Sequence, residues 1–196
     1  MRFGSTLTPS QLGGIELQSK GAQSRMVGLF IYAAIIQGAV AAAITFLGAY
    51  GDQIGLLPMS VARVIAGGGA GSWFNMGYIV YLIVGVVAMA VTSLFYFYFE
   101  TVQGRRYKGI AKALSWVHLV LGNVGVAGAS LATMWGGYWA ARAVAATNIG
   151  GLGGKPGDAH LVLVVVQQPI AAFIALALLG FFAGGLGFLI AMRSKA

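Results

Sequence analysis

Apolar residues run in four long blocks along this chain, at roughly 26–50, 73–99, 113–141 and 160–191, separated by polar or glycine-rich connections. Crossing a hydrocarbon core takes about 20 apolar residues of helix, and each block is long enough. None of the twelve Lys/Arg or four Asp/Glu falls well inside a block. The expected fold is all-α: a polar N-terminal arm over 1–25, then a single four-helix transmembrane domain over 26–193.

The connections refine this outline. The first, "GDQIGLLPMSVARVIAGGGAG", predicts a short helix after Pro58 and then a glycine run. The second, over 100–112, is short and basic, so the second and third helices should form an antiparallel hairpin. The third, "VAATNIGGLGGKPGDA", reads as a mobile loop because of its Gly and Pro content. No soluble module and no internal repeat of useful length is visible. The first 25 residues lack the pattern of a cleavable signal peptide.

Charge orients the spans. Arg2, Lys20, Arg25, Arg105, Arg106, Lys108, Lys112, Arg193 and Lys195 fall on one side of a four-pass topology, while Arg63, Arg142 and Lys155 fall on the other. The positive-inside rule then predicts a cell-membrane protein with both termini cytoplasmic. A formal charge of +8 would suggest nucleic acid in a soluble protein; here it is an orientation signal, with anionic headgroups as a secondary partner and no nucleic acid.

Composition agrees. The chain is 59% hydrophobic and 8% charged, against roughly a quarter charged in soluble domains. It has no cysteine, which removes disulfides, iron–sulfur clusters, thiolate zinc sites and cysteine nucleophiles together. Its 31 glycines suit membrane helices, where close backbone approach replaces the hydrophobic drive between helices. In the third block Gly122, Gly125, Ala129, Ala132 and Gly136 recur at spacings of three and four. In the fourth, Gly180 and Gly184 form a GxxxG pair followed by Gly187. Gly38 and Ala42 make a weaker version in the first. These rows are read as helix-packing faces. The tryptophans and the run "FYFYFE" fit interfacial aromatic belts.

The chemistry-bearing residues are few. His118 lies about five residues, or roughly 8 Å, inside the third block, on the face of Gly122 and Gly125. An intramembrane imidazole is a candidate cofactor ligand or proton relay by default, although a neutral, hydrogen-bonded packing role is the favoured reading. His160 sits at the far end of the fourth block, roughly 25 Å away across the membrane, so the two cannot share one metal or haem within a chain. Pro169 should kink the fourth helix, with Gln167 and Gln168 beside the carbonyl it frees. Gln37, Asn123, Gln167 and Gln168 are a possible polar lining. Glu16 and Glu100 are predicted inside and Asp52 and Asp158 outside, so no carboxylates pair. "GGLGGKPG" has Pro156 where a phosphate loop needs Ser or Thr. No catalytic residue and no metal site is assigned.

Taken in order, the blocks resemble the opening four-helix region of haem-copper oxidase subunit I. The resemblance runs over 19–193, through "KGAQSRMVGLFIYAAIIQGAVAAAITFLG", "GSWFNMGYIVYLIVGVVAMAVTSLFYFYF" and "LSWVHLVLGNVGVAGASL". That family's second helix carries a histidine that ligates the low-spin haem, and the matching stretch "GGGAGSWFNMGYIVY" has none. The resemblance implies a shortened, haem-free relative, an accessory subunit in place of a catalyst.

The expectation is therefore a non-catalytic accessory or structural membrane subunit of a larger, respiratory, terminal-oxidase-like complex. Its partners would be other integral membrane subunits and lipids. No cofactor is expected within this chain alone, while lipid, quinone or haem would be shared with a partner. A homo-oligomeric channel or small-molecule permease is the alternative, its lining drawn from Gln37, Asn75, Asn123, Gln167 and Gln168. A haem- or quinone-associated electron-transfer subunit using His118 is the second alternative.

Overall fold

The computed structural model describes residues 25–105 and 107–193; the expected N-terminal arm, apart from Arg25, lies outside them. The described residues are helical, with no strand, and comprise α1 (Arg25–Tyr50), the short α2 (Val61–Ala66), α3 (Gly71–Val102), α4 (Gly109–Val144) and α5 (Pro156–Arg193). α1, α3, α4 and α5 are each long and apolar enough to cross a membrane. The protein is a multi-pass membrane helical bundle.

α3, α4 and α5 each run a few residues past their apolar blocks at both ends. α5 begins at Pro156, whose missing N–H costs nothing at a first helical position. Asp158 reaches back to accept the Lys155 N–H at 2.7 Å, half of a capping box. Ser60 caps α2, its Oγ accepting the Arg63 N–H at 3.3 Å. At the basic connection, Gly104 and Gly109 adopt φ of 63° and 51°, a left-handed conformation that lets the chain reverse over so few residues.

α4 is the central element, with α3 against one side and α5 against the other, while α1 lies mainly on α3. Neighbouring helices are antiparallel. Phe30, Tyr96, His118 and Phe188 meet at one end, the termini end, and Met59, Phe74 and Tyr138 at the other, the loop end. α1 buries Met26, Val27, Phe30, Ala34, Gln37 and Ala41, a three–four spacing that holds one face toward its partners. α3 buries Tyr81, Gly85, Met89 and Ser93, four residues apart. Such a row would drift around an α-helix, and a π-helical segment over Tyr81–Val87, with its wider turns, brings it back onto one face.

The loop end is tied down. Tyr138 of α4 accepts the Met59 N–H at 3.1 Å and donates to the Met59 carbonyl at 2.8 Å. The connection expected to be mobile folds back on the end of α4: Leu152 N–H bonds the Arg142 carbonyl at 2.9 Å, and Gly153 and Gly154 bond those of Ala145 and Ala143 at 2.8 Å. Arg142 also donates to the Gly150 carbonyl at 3.1 Å and lies 4.9 Å from the Trp139 ring centroid. The glycines serve close approach here. A β-carbon on Gly150 would lie 2.9 Å from the Pro58 carbonyl carbon, in the other loop.

Candidate functional site

The α4–α5 contact is closest where glycines stand. A β-carbon on Gly125 would lie 2.7 Å from the Ala177 Cα, and one on Gly180 would lie 2.9 Å from the Gly122 Cα. One on Gly136 would come within 2.6 Å of Val166. Gly122 and Gly180, one from each small-residue row, therefore lie backbone to backbone, while Gly125 and Gly136 leave room for Ala177 and Val166 of α5. Ala129 is half-buried, whereas Gly38, in α1, is roomy, its nearest neighbour being Val86 at 3.8 Å. Ala42 is exposed.

His118 belongs to this seam. Its ring lies flat against Gly184, where a β-carbon would fall 2.6 Å from both Cγ and Cε1 and closer still to Nδ1. The GxxxG pair thus does two jobs: Gly180 admits the α4 backbone, and Gly184, one turn on, admits the imidazole. Phe30, Phe181 and Tyr96 enclose the rest of the ring, with centroids at 5.0, 6.0 and 6.3 Å. Phe30 and Tyr96 are fully buried. The Tyr96 hydroxyl is 3.4 Å from Nδ1, a long hydrogen bond. The space around His118 is filled by this chain's own aromatic rings and helix backbone. His118 is nine residues into α4, which starts at Gly109, a few residues before the apolar block.

A second polar locus lies at mid-bundle. The Tyr81 hydroxyl donates to Gln37 Oε1; Gln37 Nε2 donates to Asn123 Oδ1 at 3.3 Å; and Asn123 Nδ2 donates to the Leu119 carbonyl at 2.7 Å. α1, α3 and α4 are joined through one chain of hydrogen bonds, each buried amide matched to a partner. Toward the loop end Thr45 gives its proton to the Ala41 carbonyl at 2.8 Å and accepts from the Tyr78 hydroxyl at 2.6 Å. These groups hold helices together with their hydrogen-bonding capacity directed at one another.

Gln167 and Gln168 are elsewhere. Both are exposed on the outside of α5, away from Gln37 and Asn123, and neither amide makes a hydrogen bond among the described residues. α5 runs through Pro169 as one helix. Asn75 is half-buried near the start of α3. His160 is exposed at the loop end, 24 residues before Gly184, so about 36 Å of α5 separates it from His118. Among the described residues no three His, Asp or Glu side chains gather as metal ligands.

At the termini end, Tyr107 is buried in the α3–α4 connection, its ring 5.1 Å from that of Tyr96. Burial first, then the nearby Tyr96 and Glu100, push its phenol well above the usual range. Its hydroxyl and Glu100 Oε2 have no hydrogen-bond partner among the described residues. At the loop end a crevice of about 200 Å³ opens between α1 and α4, walled by Ile44, Leu47, Leu131, Trp135 and Trp139 and floored by α2 through Val61. Its walls are almost wholly apolar.

Sequence reasoning did not single out Tyr81 and Tyr138, which look like ordinary aromatics in an apolar run. Their signal, a hydroxyl inside a hydrocarbon-depth block, was present; buried Tyr O–H groups need acceptors. Gly128 and Gly137 were also missed. Phe173 lies over Gly128, and the Trp73–Phe74 backbone abuts Gly137, with Phe74 Cα 3.0 Å from where a β-carbon would stand.

The chain matches no protein-family model, and no curated protein or solved structure shows significant similarity to it.

Proposed function

We propose that this chain is a non-catalytic accessory subunit of a larger integral membrane complex, respiratory and terminal-oxidase-like in kind. It would lie in the cell membrane with its termini end toward the cytoplasm, where the positive-inside rule places the basic connection and tail. The observation that carries the reading is how the interior polar groups are spent. His118 is wedged between Gly184 and three aromatic rings, and Gln37, Tyr81 and Asn123 hydrogen-bond one another. What the described bundle turns outward is helix surface suited to contact with lipid and other helices.

The test is purification of the tagged chain from its native membrane in a mild detergent. Other integral membrane subunits should co-purify in fixed stoichiometry, and any haem absorbance of that complex should survive His118→Ala. A chain that migrates alone, or with further copies of itself only, would sink the accessory reading. A Soret band lost with His118→Ala would replace it by the electron-transfer reading. Solute flux into vesicles containing this chain alone would replace it by the channel.

A further inference from the structure

Among the described residues α5 packs along α4, and its opposite face is exposed. That face carries a regular row. Gln168, Ala171, Ala175, Leu178, Phe182 and Gly185 follow one another at alternating spacings of three and four, and all six are exposed. This is the a/d spacing by which two helices pack along a shared seam.

Two features of the row are unexpected for a surface that meets only lipid. Gln168 is flanked by apolar sequence on both sides, Leu161–Val166 before it and a long apolar run after Pro169, so its amide lies at hydrocarbon depth. A primary amide there is costly unless another polar group meets it, and no hydrogen-bond partner meets it among the described residues. Gly185 is the second. A β-carbon on it would have nothing within 4 Å, so no contact inside the bundle requires a glycine there. The gap it leaves is the floor of a groove of about 390 Å³ whose walls include Leu178, Phe182 and Leu189. Apolar cavities of about 150 Å³ already take a benzene ring.

We infer that this face of α5 is a parallel, two-fold contact with a second copy of the chain, in which the Gln168 amides pair across the axis and Phe182 of each copy enters the gap at Gly185 of the other. Self-complementarity selects this occupant. An amide is both donor and acceptor, so two identical glutamines at equal depth satisfy each other. A knob and a hole one helical turn apart on the same face serve each other reciprocally under a two-fold axis. Ala171 and Ala175, directly after Gln168, let the backbones come close enough for the amides to meet. This contact goes beyond the accessory-subunit reading and stands independently of it.

The chain has no cysteine, which makes single-cysteine cross-linking clean. Ala171→Cys and Ala175→Cys lie on the row; Ala172→Cys and Val165→Cys are exposed controls off it. Oxidation in native membranes with a membrane-permeant catalyst should convert the row variants, and not the controls, to a product of twice the chain mass. Adding Gln168→Leu to Ala171→Cys should lower the cross-linked fraction roughly tenfold, while Gln168→Asn retains most of it. Equal reaction on and off the row, or none at either, would overturn the inference and leave the face to lipid. A row-specific product of any mass other than two copies would overturn it in favour of a different chain.

Discussion

Gly184→Ala is the substitution most sensitive to how His118 is held. The added methyl would lie 2.6 Å from Cγ and Cε1 of the ring and closer to Nδ1, where unstrained contacts lie at about 3.5–4.0 Å. The imidazole must therefore withdraw by roughly 1 Å. Phe30, with its ring centroid 5.0 Å away, and Tyr96 block that withdrawal, and both are fully buried. Overpacking of this kind costs about 1–3 kcal/mol, against a helix-propensity gain of about 1 kcal/mol for Ala over Gly. The net expectation is a loss of about 0–2 kcal/mol. His118→Ala should itself destabilise by roughly 2 kcal/mol through the space it empties. In that background Gly184→Ala finds room and becomes neutral or favourable, so the two changes should couple by at least about 1 kcal/mol. Unfolding of the purified protein by increasing sodium dodecyl sulfate in mild-detergent micelles, followed by tryptophan fluorescence, gives all four values of the cycle. An equal cost for Gly184→Ala with and without the ring would refute the wedge.

Three further outcomes are expected. Gly125→Ala, whose β-carbon meets Ala177 backbone, should destabilise by about 2 kcal/mol, while Gly38→Ala, with 3.8 Å to a side chain, should be neutral or slightly stabilising in the same unfolding assay. Gln37→Leu strands the Tyr81 hydroxyl and should cost about 1–2 kcal/mol; adding Tyr81→Phe should then recover part of that loss, a recovery that independent side chains would not show. For topology, Leu152→Cys should react with a membrane-impermeant maleimide on intact cells and Gln103→Cys only after permeabilisation, both sites being exposed; the reverse pattern would invert the orientation.

Much of the architecture was legible in the chain. The four spans follow from hydrocarbon thickness, since a stretch of twenty or more apolar residues has few other stable places to be. The short helix after Pro58 is local, set by residues that touch within one turn. Glycine rows pointed to close packing in the third and fourth helices, and those rows do meet. The third connection was misjudged because glycine signals two opposite things, freedom in an open loop and room for another backbone; Gly150 and its neighbours are of the second kind.

Facing is what the chain could not disclose. In a soluble protein, the polar stripe of each helix marks its outside. Here lipid and core are equally apolar, so the blocks carry no such mark, and a glutamine looks the same whether it points inward or outward. Tertiary packing alone separates Gln37 and Asn123, which hydrogen-bond at mid-bundle, from Gln167 and Gln168, which stand uncovered on α5. It alone sets Gly184 beneath His118, because that neighbourhood depends on two helices crossing at one depth, 66 positions apart in the chain. The sequence by itself determined that the chain carries four helices long and apolar enough to cross a bilayer, from the solvation cost of its backbone and side chains. Which of its few polar groups are consumed inside and which stand on the outer surface was decided only by helix rotation and register, through contacts between residues distant in the chain.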